Sequence, residues 1–399
     1  MTSQRLDSTC TNITDCEHKT APIDPSGKYF AVGTPAMKGN SIDYEEARRI
    51  SAAVFDSWTR RLRPRVGDLL LAREAPVGPV VLIPSAENVA PGQRTVLLRP
   101  DPSIVESDYL YYLLSSPRQQ ELLRTKAAGS TVSHLNVADV RSFKLPELPS
   151  IPEQRTIAGV LRALDDKITA NTKVAQTAEA LLETAFVVLR LFEEAGNACS
   201  TATLEDLVVL NPAVLRPREA EPVYVNMQKL PVSGISIADW ARRPAKGGAR
   251  FENGDTLLAR ITPCLENRKT GYVDFLDEGQ VALGSTEYIV MRSRSGVPAE
   301  LSYFIATSEQ FRSFAIRHMS GTSGRQRVSA ASLAEFKITA PDIDSLEAFG
   351  RKSSKLFALI KSQRDENRTL CQLRDALLPQ LMSGELRVKD AEKTVEEVL

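Results

Sequence analysis

The chain has 399 residues, of which 42% are hydrophobic and 25% charged, and its 50 basic side chains balance 50 acidic ones. This length predicts two or three domains, because a single hydrophobic core rarely serves more than roughly 250 residues. No apolar run approaches the roughly 18 residues that cross a bilayer, and residues 1–12 lack a secretory signal. We therefore expect a cytoplasmic protein without a membrane partner.

The five cysteines are scattered along the chain, and their odd number suits a reducing compartment better than a disulfide framework. Cys10, Cys16 and His18 lie close together in sequence. Their spacing lacks the second ligand pair of a structural zinc site, so ordinary thiols are the better interpretation and we predict no metal.

One eight-residue segment occurs twice. Residues 66–73, VGDLLLAR, return at residues 253–260 as NGDTLLAR, with six letters unchanged and an offset of 187 residues. Three further pairs follow in the same order at offsets of 192 or 193 residues: YYLLSS with YFIATS, GST with GTS, and DVRSFKLP with SLAEFKIT. Such an ordered series is hard to produce by accident, so we predict a tandem duplication of a mixed unit followed by a helix.

Each copy predicts short strands followed by an amphipathic helix. Strand-forming segments bounded by turn residues lie at 68–72, 79–84 and 94–100, and again at 255–260, 270–276 and 287–292. Apolar residues spaced by three and four then predict one helix at 108–124 and another at 299–317. The aromatic side chains on these helices are predicted to be core rather than base-stacking platforms; they are Tyr111, Tyr112, Tyr303 and Phe304.

A long helix is predicted to end each copy. From Ile157 onwards, apolar residues alternate spacings of four and three, the 3.5-residue period of a coiled-coil seam. A looser seam runs from Phe349 to Leu377, and Asp344 or Ser345 is predicted to cap that helix. The seam residues are Leu161, Leu164, Ile168, Asn171 and Leu182 in the first helix and Leu356, Ile360, Gln363, Asn367 and Leu370 in the second.

Neither helix can bury its seam alone, so we predict an antiparallel pair, with pairing to another protein's helices as the alternative. Asn171 is predicted to face Gln363 or Asn367 and to fix the register. About 34 helical residues span on the order of 50 Å, and half-sites on duplex DNA lie about 34 to 36 Å apart per helical turn. The two duplicated units, which differ in sequence and are joined by this helix pair, are therefore predicted to read two short DNA sequences at a fixed separation.

Two segments carry a family resemblance. Residues 145–168 (LPELPSIPEQRTIAGVLRALDDKI) and 373–388 (LRDALLPQLMSGELRV) resemble the specificity subunit of type I restriction-modification enzymes. The resemblance covers essentially the whole chain, although residues 340–349 lack the I-P-E-Q element that begins the first helix at 151–154.

This resemblance implies an α+β fold with pseudo-two-fold symmetry. Two target-recognition domains of mixed short strands and helices are each followed by a long helix, and the two helices form an antiparallel coiled coil. The corresponding ranges are 1–150 and 196–340 for the recognition domains, 151–195 and 341–384 for the helices, and 385–399 for an acidic tail.

The same resemblance implies a bipartite double-stranded DNA site and two docked adenine-N6 methyltransferase subunits, which would hold S-adenosylmethionine. Restriction and translocase subunits would complete the complex. The implied role of this chain is to recognise the sequence and to dock the methyltransferase subunits, with its helices setting the spacing.

No catalytic motif occurs in the chain itself. Asn211-Pro212 lacks the second proline and the aromatic residue of an adenine methyltransferase, and no glycine-rich cofactor loop precedes it. A G-x-x-x-x-G-K-S/T phosphate loop is also missing from the sequence. We therefore predict a non-catalytic subunit without a cofactor of its own. A stand-alone DNA methyltransferase and a coiled-coil scaffold that never contacts nucleic acid are the alternatives.

Basic islands within the neutral chain indicate where DNA would be contacted. Arginine and lysine outnumber acidic residues at 60–73, 242–269 and 312–337. Arginine and glutamine are suited to reading guanine and adenine edges. Arg73 and Arg260 end the repeated strand, where pairing with a nearby carboxylate is slightly favoured over contact with phosphate. The candidate DNA contacts are His18, Lys19, Arg73, Thr131, Ser133, His134, Arg260, Ser323, Arg325, Gln326 and Arg327.

Overall fold

The computed structural model describes residues 4–39, 41–84, 88–127, 133–192, 201–244, 246–322 and 324–398. The chain divides into two compact units, one formed by Met1–Ile168 with Thr369–Leu399 and the other by Thr169–Arg368. Each of the two long helices contributes residues to both units. No helix in the described part of the chain is both long and apolar enough to span a bilayer.

The described elements are mostly short. The helices are α1 (Ala52–Trp58), α2 (Ser107–Ser115), α3 (Pro117–Ala127), α4 (Val137–Arg141), α5 (Ile151–Val188), α6 (Leu204–Leu207), α7 (Leu301–Thr307), α8 (Glu309–Arg317), α9 (Ala330–Ala334), α10 (Ile343–Ser383) and α11 (Val388–Glu396). The strands of the first unit are β1 (Gln4–Arg5), β2 (Cys10–Asp15), β3 (Tyr29–Val32), β4 (Met37–Lys38), β5 (Ser41–Ile42), β6 (Arg48–Ile50), β7 (Leu69–Arg73), β8 (Val77–Leu82), β9 (Val89–Pro91), β10 (Thr95–Pro100) and β11 (Lys144–Leu145). Those of the second are β12 (Thr201–Thr203), β13 (Val208–Leu210), β14 (Val223–Val225), β15 (Ala241–Arg242), β16 (Ala249–Phe251), β17 (Thr256–Ala259), β18 (Thr270–Tyr272), β19 (Ala282–Gly284), β20 (Tyr288–Ser293) and β21 (Lys337–Thr339).

The same sheet arrangement occurs in both units. A four-stranded antiparallel sheet has the order β2-β10-β7-β8 in the first unit and β13-β20-β17-β18 in the second. A second sheet, β6-β3-β9 or β15-β14-β19-β16, contains one parallel pair in each unit. The first and last strands of each copy also pair, β1 with β11 and β12 with β21. The predicted α+β class is confirmed, and the duplication extends to a second sheet that the sequence patterns did not reveal.

The repeated segment forms a glycine turn followed by a buried strand. Gly67 and Gly254 have φ angles of +86° and +91°, where a side chain would strain the backbone. The next residue, Asp68 or Asp255, is buried at 2% or 0% exposure. Leucine and alanine then line the core.

Each buried aspartate holds an arginine from the neighbouring strand through two hydrogen bonds. The Arg99 Nε and Nη2 atoms donate to the two Asp68 carboxylate oxygens at 2.9 and 2.7 Å. Arg292 donates to Asp255 in the same way at 2.6 and 2.8 Å. Each carboxylate also accepts a backbone N–H from three residues earlier, which closes the turn before the strand. The "GD" of the repeated segment is therefore a turn fixed by a buried ion pair.

The predicted single helices at 108–124 and 299–317 are wrong, because each is two helices separated at a serine. Ser116 and Ser308 both adopt extended backbone, with ψ of 145°. Pro117 begins α3, which suits its missing N–H. The Ser308 hydroxyl accepts the Phe311 N–H and caps α8. The sequence spacing of apolar residues continues across both breaks, so periodicity alone did not show them.

The I-P-E-Q segment of the first unit, residues 151–154, ties the start of α5 to the loop before α2. The buried Gln154 amide accepts the Glu106 N–H at 2.8 Å and donates to the carbonyl oxygens of Ile104 and Pro149. The second unit lacks this glutamine. There, the Ser353 hydroxyl of α10 donates to Glu300 at 3.0 Å, next to the start of α7.

The seam residues of α5 and α10 are largely buried in their own units. Leu161, Leu164 and Leu370 belong to the core of the first unit, and Leu182 and Ile360 to that of the second. Ile168, Leu356, Gln363 and Asn367 are partly buried. In the second unit Phe186 contacts Phe349, while Asn171 contacts Glu366, so the two helices run antiparallel there as predicted.

Two details of the predicted helix pair are wrong. Buried Asn171 donates to the Glu366 carboxylate at 3.0 Å, rather than facing Gln363 or Asn367, because a carboxylate is a stronger acceptor for its amide. Asn367 instead donates to Thr172. The cap of α10 is Asp342, whose carboxylate accepts the Ser345 N–H at 2.8 Å, because the helix begins at Ile343, earlier than the seam suggested.

The acidic C-terminal segment is structured in its described part. Helix α11 buries Ala391 and Val395 in the core of the first unit, and its charged residues lie on the opposite, exposed side.

Removing the buried carboxylate of the second unit tests whether the repeated aspartate supports the fold. We expect Asp255→Ala to lower the free energy of unfolding by about 3 kcal/mol, because Arg292 loses its buried carboxylate partner and keeps only the more exposed Glu252. Urea unfolding followed by circular dichroism measures this. Asp239→Ala is the control, since Asp239 forms a largely exposed pair with Lys229, and we expect a change within about 0.5 kcal/mol. Equal effects of the two substitutions would contradict this role for Asp255.

Candidate nucleic-acid interface

In the first unit, Arg73 lies at the end of β7 and is fixed by two neighbours. Its Nη2 atom lies 3.1 Å from the Asp15 Oδ1 atom at the end of β2. Its Nη1 atom donates to the Leu135 carbonyl oxygen at 3.0 Å. The side chain is only 11% exposed. Arg73 therefore joins β7, β2 and the segment before α4.

Two predicted histidines lie beside Arg73. The His18 Nε2 atom is 3.0 Å from the second Asp15 oxygen, so one carboxylate contacts both His18 and Arg73. His134 pairs with Glu74 in a short backbone bridge directly after β7. Lys19 and Ser133 are exposed nearby in sequence, and Thr131 lies outside the described residues.

Asp15, Cys16 and His18 each place a potential ligand atom within 4.8 Å of one another. Cys10, which the sequence placed with Cys16 and His18, is not part of this group. Burial raises the pKa of the Cys16 thiol. Asp15 contacts both Arg73 and His18, so these three residues form a polar network in this structure.

In the second unit, Arg260 follows β17 at the position equivalent to Arg73. Its Nε atom lies 3.9 Å from the Glu287 carboxylate. Arg327 binds the same carboxylate more closely, with its Nη2 and Nε atoms donating at 2.7 and 2.9 Å. These contacts hold the pKa of Glu287 below its ordinary value, chiefly through the hydrogen bonds from Arg327. Arg260 and Arg327 are therefore held around one carboxylate.

The remaining candidates of this unit lie on the adjoining loop. Gln326 is partly exposed, and its carbonyl oxygen accepts the Thr262 N–H at 3.0 Å. Arg325 is exposed, and Ser323 lies outside the described residues.

Both clusters are built on the same backbone scaffold. The Leu135 N–H donates to the Arg73 carbonyl oxygen at 2.9 Å, and the Val328 N–H donates to that of Arg260 at 3.0 Å. The loop carrying the polar candidates is therefore attached to the end of the repeated strand in each unit. The side chains differ, with two histidines in the first cluster and arginine and glutamine in the second.

The acidic residues of these two clusters were not predicted from the sequence. Each of these carboxylates pairs with an arginine far from it in sequence: Asp15 with Arg73, Glu287 with Arg327, and Glu17 with Arg60. The Glu17–Arg60 distance is 2.9 Å. An acidic residue at the end of a predicted strand does not by itself indicate which arginine it binds. Pairing of Arg73 and Arg260 with nearby carboxylates, which the sequence slightly favoured, is observed.

The α5 segment of the second unit carries another apolar stripe beside its seam. Val174, Leu181 and Val188 recur every seven residues and are 42%, 47% and 67% exposed. With Leu356 and Leu359 of α10, the first two line an apolar groove. A seven-residue apolar repeat left exposed beside a packed seam is the pattern that accepts a further helix.

Comparisons with known proteins agree with this architecture. Residues 60–180 match the family model described as type I restriction modification DNA specificity domain. The chain is 24% identical over 368 residues to the type I restriction enzyme MjaIX specificity subunit of Methanocaldococcus jannaschii, covering 86% of this chain and 83% of that one. It is 27% identical over 202 residues to the type I restriction enzyme EcoEI specificity subunit of Escherichia coli, covering 49% of this chain and 34% of that one.

A solved structure shares the fold. The type I restriction-modification S subunit from M. genitalium superimposes with a TM-score of 0.61 at 17% identity, covering 95% of each chain. The matched residues therefore resemble a type I restriction-modification DNA specificity domain, and the chain is similar along most of its length to a type I specificity subunit.

Proposed function

We propose that this chain is the non-catalytic, sequence-reading subunit of a type I restriction-modification complex, and that each unit reads one half of a bipartite duplex site. One observation carries the proposal. The same strand and attached loop occur twice, yet they present different polar side chains. A duplicated scaffold with unlike reading groups is suited to two unlike short sequences at a defined spacing.

The reading groups of the second unit are those whose polar atoms face solvent. Arg325 is exposed and Gln326 partly so, and both have the hydrogen-bonding geometry for base edges, arginine for guanine and glutamine for adenine. Arg327 and Arg260 are bound to Glu287 and hold the loop in place. In the first unit, Ser133 and His134 on the corresponding loop are the reading groups, with Lys19 contacting phosphate.

The two long helices are the spacing and docking element of this proposal. Their antiparallel packing in the second unit and the buried Asn171–Glu366 contact give a fixed register. The exposed stripe on α5 would receive a helix from a methyltransferase subunit, and a second such subunit would dock in a related way on the duplicated half.

Methyl transfer would take place in the partner. Adenine methylation needs S-adenosylmethionine and a pocket for a flipped base, and this sequence lacks the motifs for both. Restriction and translocase subunits would complete the complex.

A methylation assay tests the division of roles. We expect the purified chain alone to transfer no methyl groups from S-adenosylmethionine to DNA, and the complex with its methyltransferase subunits to modify adenines within a split sequence. Sequencing that detects modified adenines, in cells with and without this gene, identifies the site. Methyl transfer by the chain alone, or modification that does not depend on the gene, would refute the proposal.

Charge placed on the exposed stripe tests the docking surface. Val174→Glu with Leu181→Glu should weaken assembly with the methyltransferase subunits by at least about tenfold, because two buried apolar contacts would become desolvated carboxylates. Gln176→Glu, exposed on another side of the same helix, is the matched control and should leave assembly unchanged. Analytical ultracentrifugation of the mixtures measures this. Normal assembly of the double variant would show that the subunits dock elsewhere.

A further inference from the structure

A second repeated motif lies outside the two clusters. The letters Ala-Arg-Arg occur at 47–49 and again at 241–243, an offset of 194 residues that agrees with the rest of the duplication. In the first unit Arg48 and Arg49 begin β6, and in the second Arg242 ends β15 and Arg243 follows it. These two pairs are called the arginine edges below.

The arginine edges occupy the same place in the two units. Strands β6 and β15 are the edge strands of the second sheets. Each pairs antiparallel with a neighbour, β3 or β14, which in turn pairs parallel with the next strand. The duplication has therefore placed two arginines at one exposed sheet edge in both units.

These arginines form no close ion pairs in the described part of the chain, and Arg242 interacts with the Glu219 carboxylate only from outside ion-pair distance. Arg73, Arg99, Arg292 and Arg327 each form an ion pair. Within the described part of the chain, none of the four arginines of the edges does so, and all four are exposed. An arginine without a carboxylate partner can bind an anion without first breaking an ion pair.

One arginine of each edge is oriented by an aromatic ring instead. The Arg49 guanidinium carbon lies 5.5 Å from the centre of the Phe30 ring on β3, and that of Arg243 lies 3.1 Å from the centre of the Tyr224 ring on β14. Stacking on a ring restricts the planar group but leaves its charge and its N–H donors available. A restricted, charged guanidinium is suited to a bidentate contact with phosphate.

We propose that the two arginine edges contact DNA phosphates, one edge in each half of the bipartite site. This inference builds on the proposed DNA-reading function. The reading loops differ between the units, as do the bases of two unlike half-sites, whereas the arginine edges are the same in both units. The phosphate backbone is the part of DNA that is the same in both half-sites, and contacts to it position a protein without carrying sequence information.

The salt dependence of binding tests this. Two double variants are compared in the complex with its methyltransferase subunits: Arg48→Gln with Arg49→Gln, and Arg242→Gln with Arg243→Gln. Each should reduce the magnitude of the slope of log association constant for DNA against log salt concentration by about 2. The loss of affinity should be similar for a duplex that carries the recognised sequence, as identified by mapping modified adenines, and for a random duplex of equal length. Combining all four substitutions should reduce the slope by about 4.

Arg118→Gln with Arg124→Gln on α3 is the matched control, because it removes the same charge from exposed positions of the first unit. Its slope should stay within about 0.5 of the wild-type value. Circular dichroism melting and assembly with the partner subunits establish that each variant is folded. An unchanged slope in either arginine-edge variant, or an equal reduction in the control, overturns the inference. A wild-type complex that prefers no sequence refutes the proposed function instead.

Discussion

A buried carboxylate bound by two arginine nitrogens is the constraint on which each unit depends. Asp68 with Arg99, and Asp255 with Arg292, close the glycine turn, join the central strands of the four-stranded sheet and set where the following strand begins. That strand ends at Arg73 or Arg260, where the loop with the candidate reading groups is attached. Replacing one partner of such a pair leaves a charge near the core without compensation. The Gly-Asp of the eight-residue repeat therefore has the same structural role in both units.

The two units combine a common framework with different polar surfaces. Ion pairs at the strand ends hold the candidate reading loops, through Asp15 in one unit and Glu287 in the other, and the loops themselves differ. The arginines outside these ion pairs lie at the same sheet edge in both units. Common features would therefore serve the uniform part of a DNA partner, and unlike features would serve its sequence. In the proposed function, the helix seam would set the spacing and the exposed stripe beside it would bind other subunits.

Much of this could be predicted from the sequence, and the omissions have physical causes. Strong local patterns predicted three of the four strands of the antiparallel sheet in each copy, and the 3.5-residue seam. The second sheets were missed because their strands are only two to four residues long. Their parallel pairs, β3 with β9 and β14 with β19, also join segments that lie far apart in sequence. The breaks at Ser116 and Ser308 do not disturb apolar spacing. Which residue of α10 accepts a hydrogen bond from Asn171 depends on the side-chain conformations at the helix contact. The arginine pairs of Asp15 and Glu287 depend on tertiary contacts between residues far apart in sequence, which residue spacing does not predict.

Selection of bound duplexes from a random-sequence library by the assembled complex measures the central claim most directly. If the two units read unlike half-sites at a fixed separation, the selected duplexes will contain two short specified blocks of unlike sequence, separated by an unspecified spacer of constant length. A single continuous block, or two blocks whose separation varies freely among the selected duplexes, would contradict the idea that two readers act at a set distance.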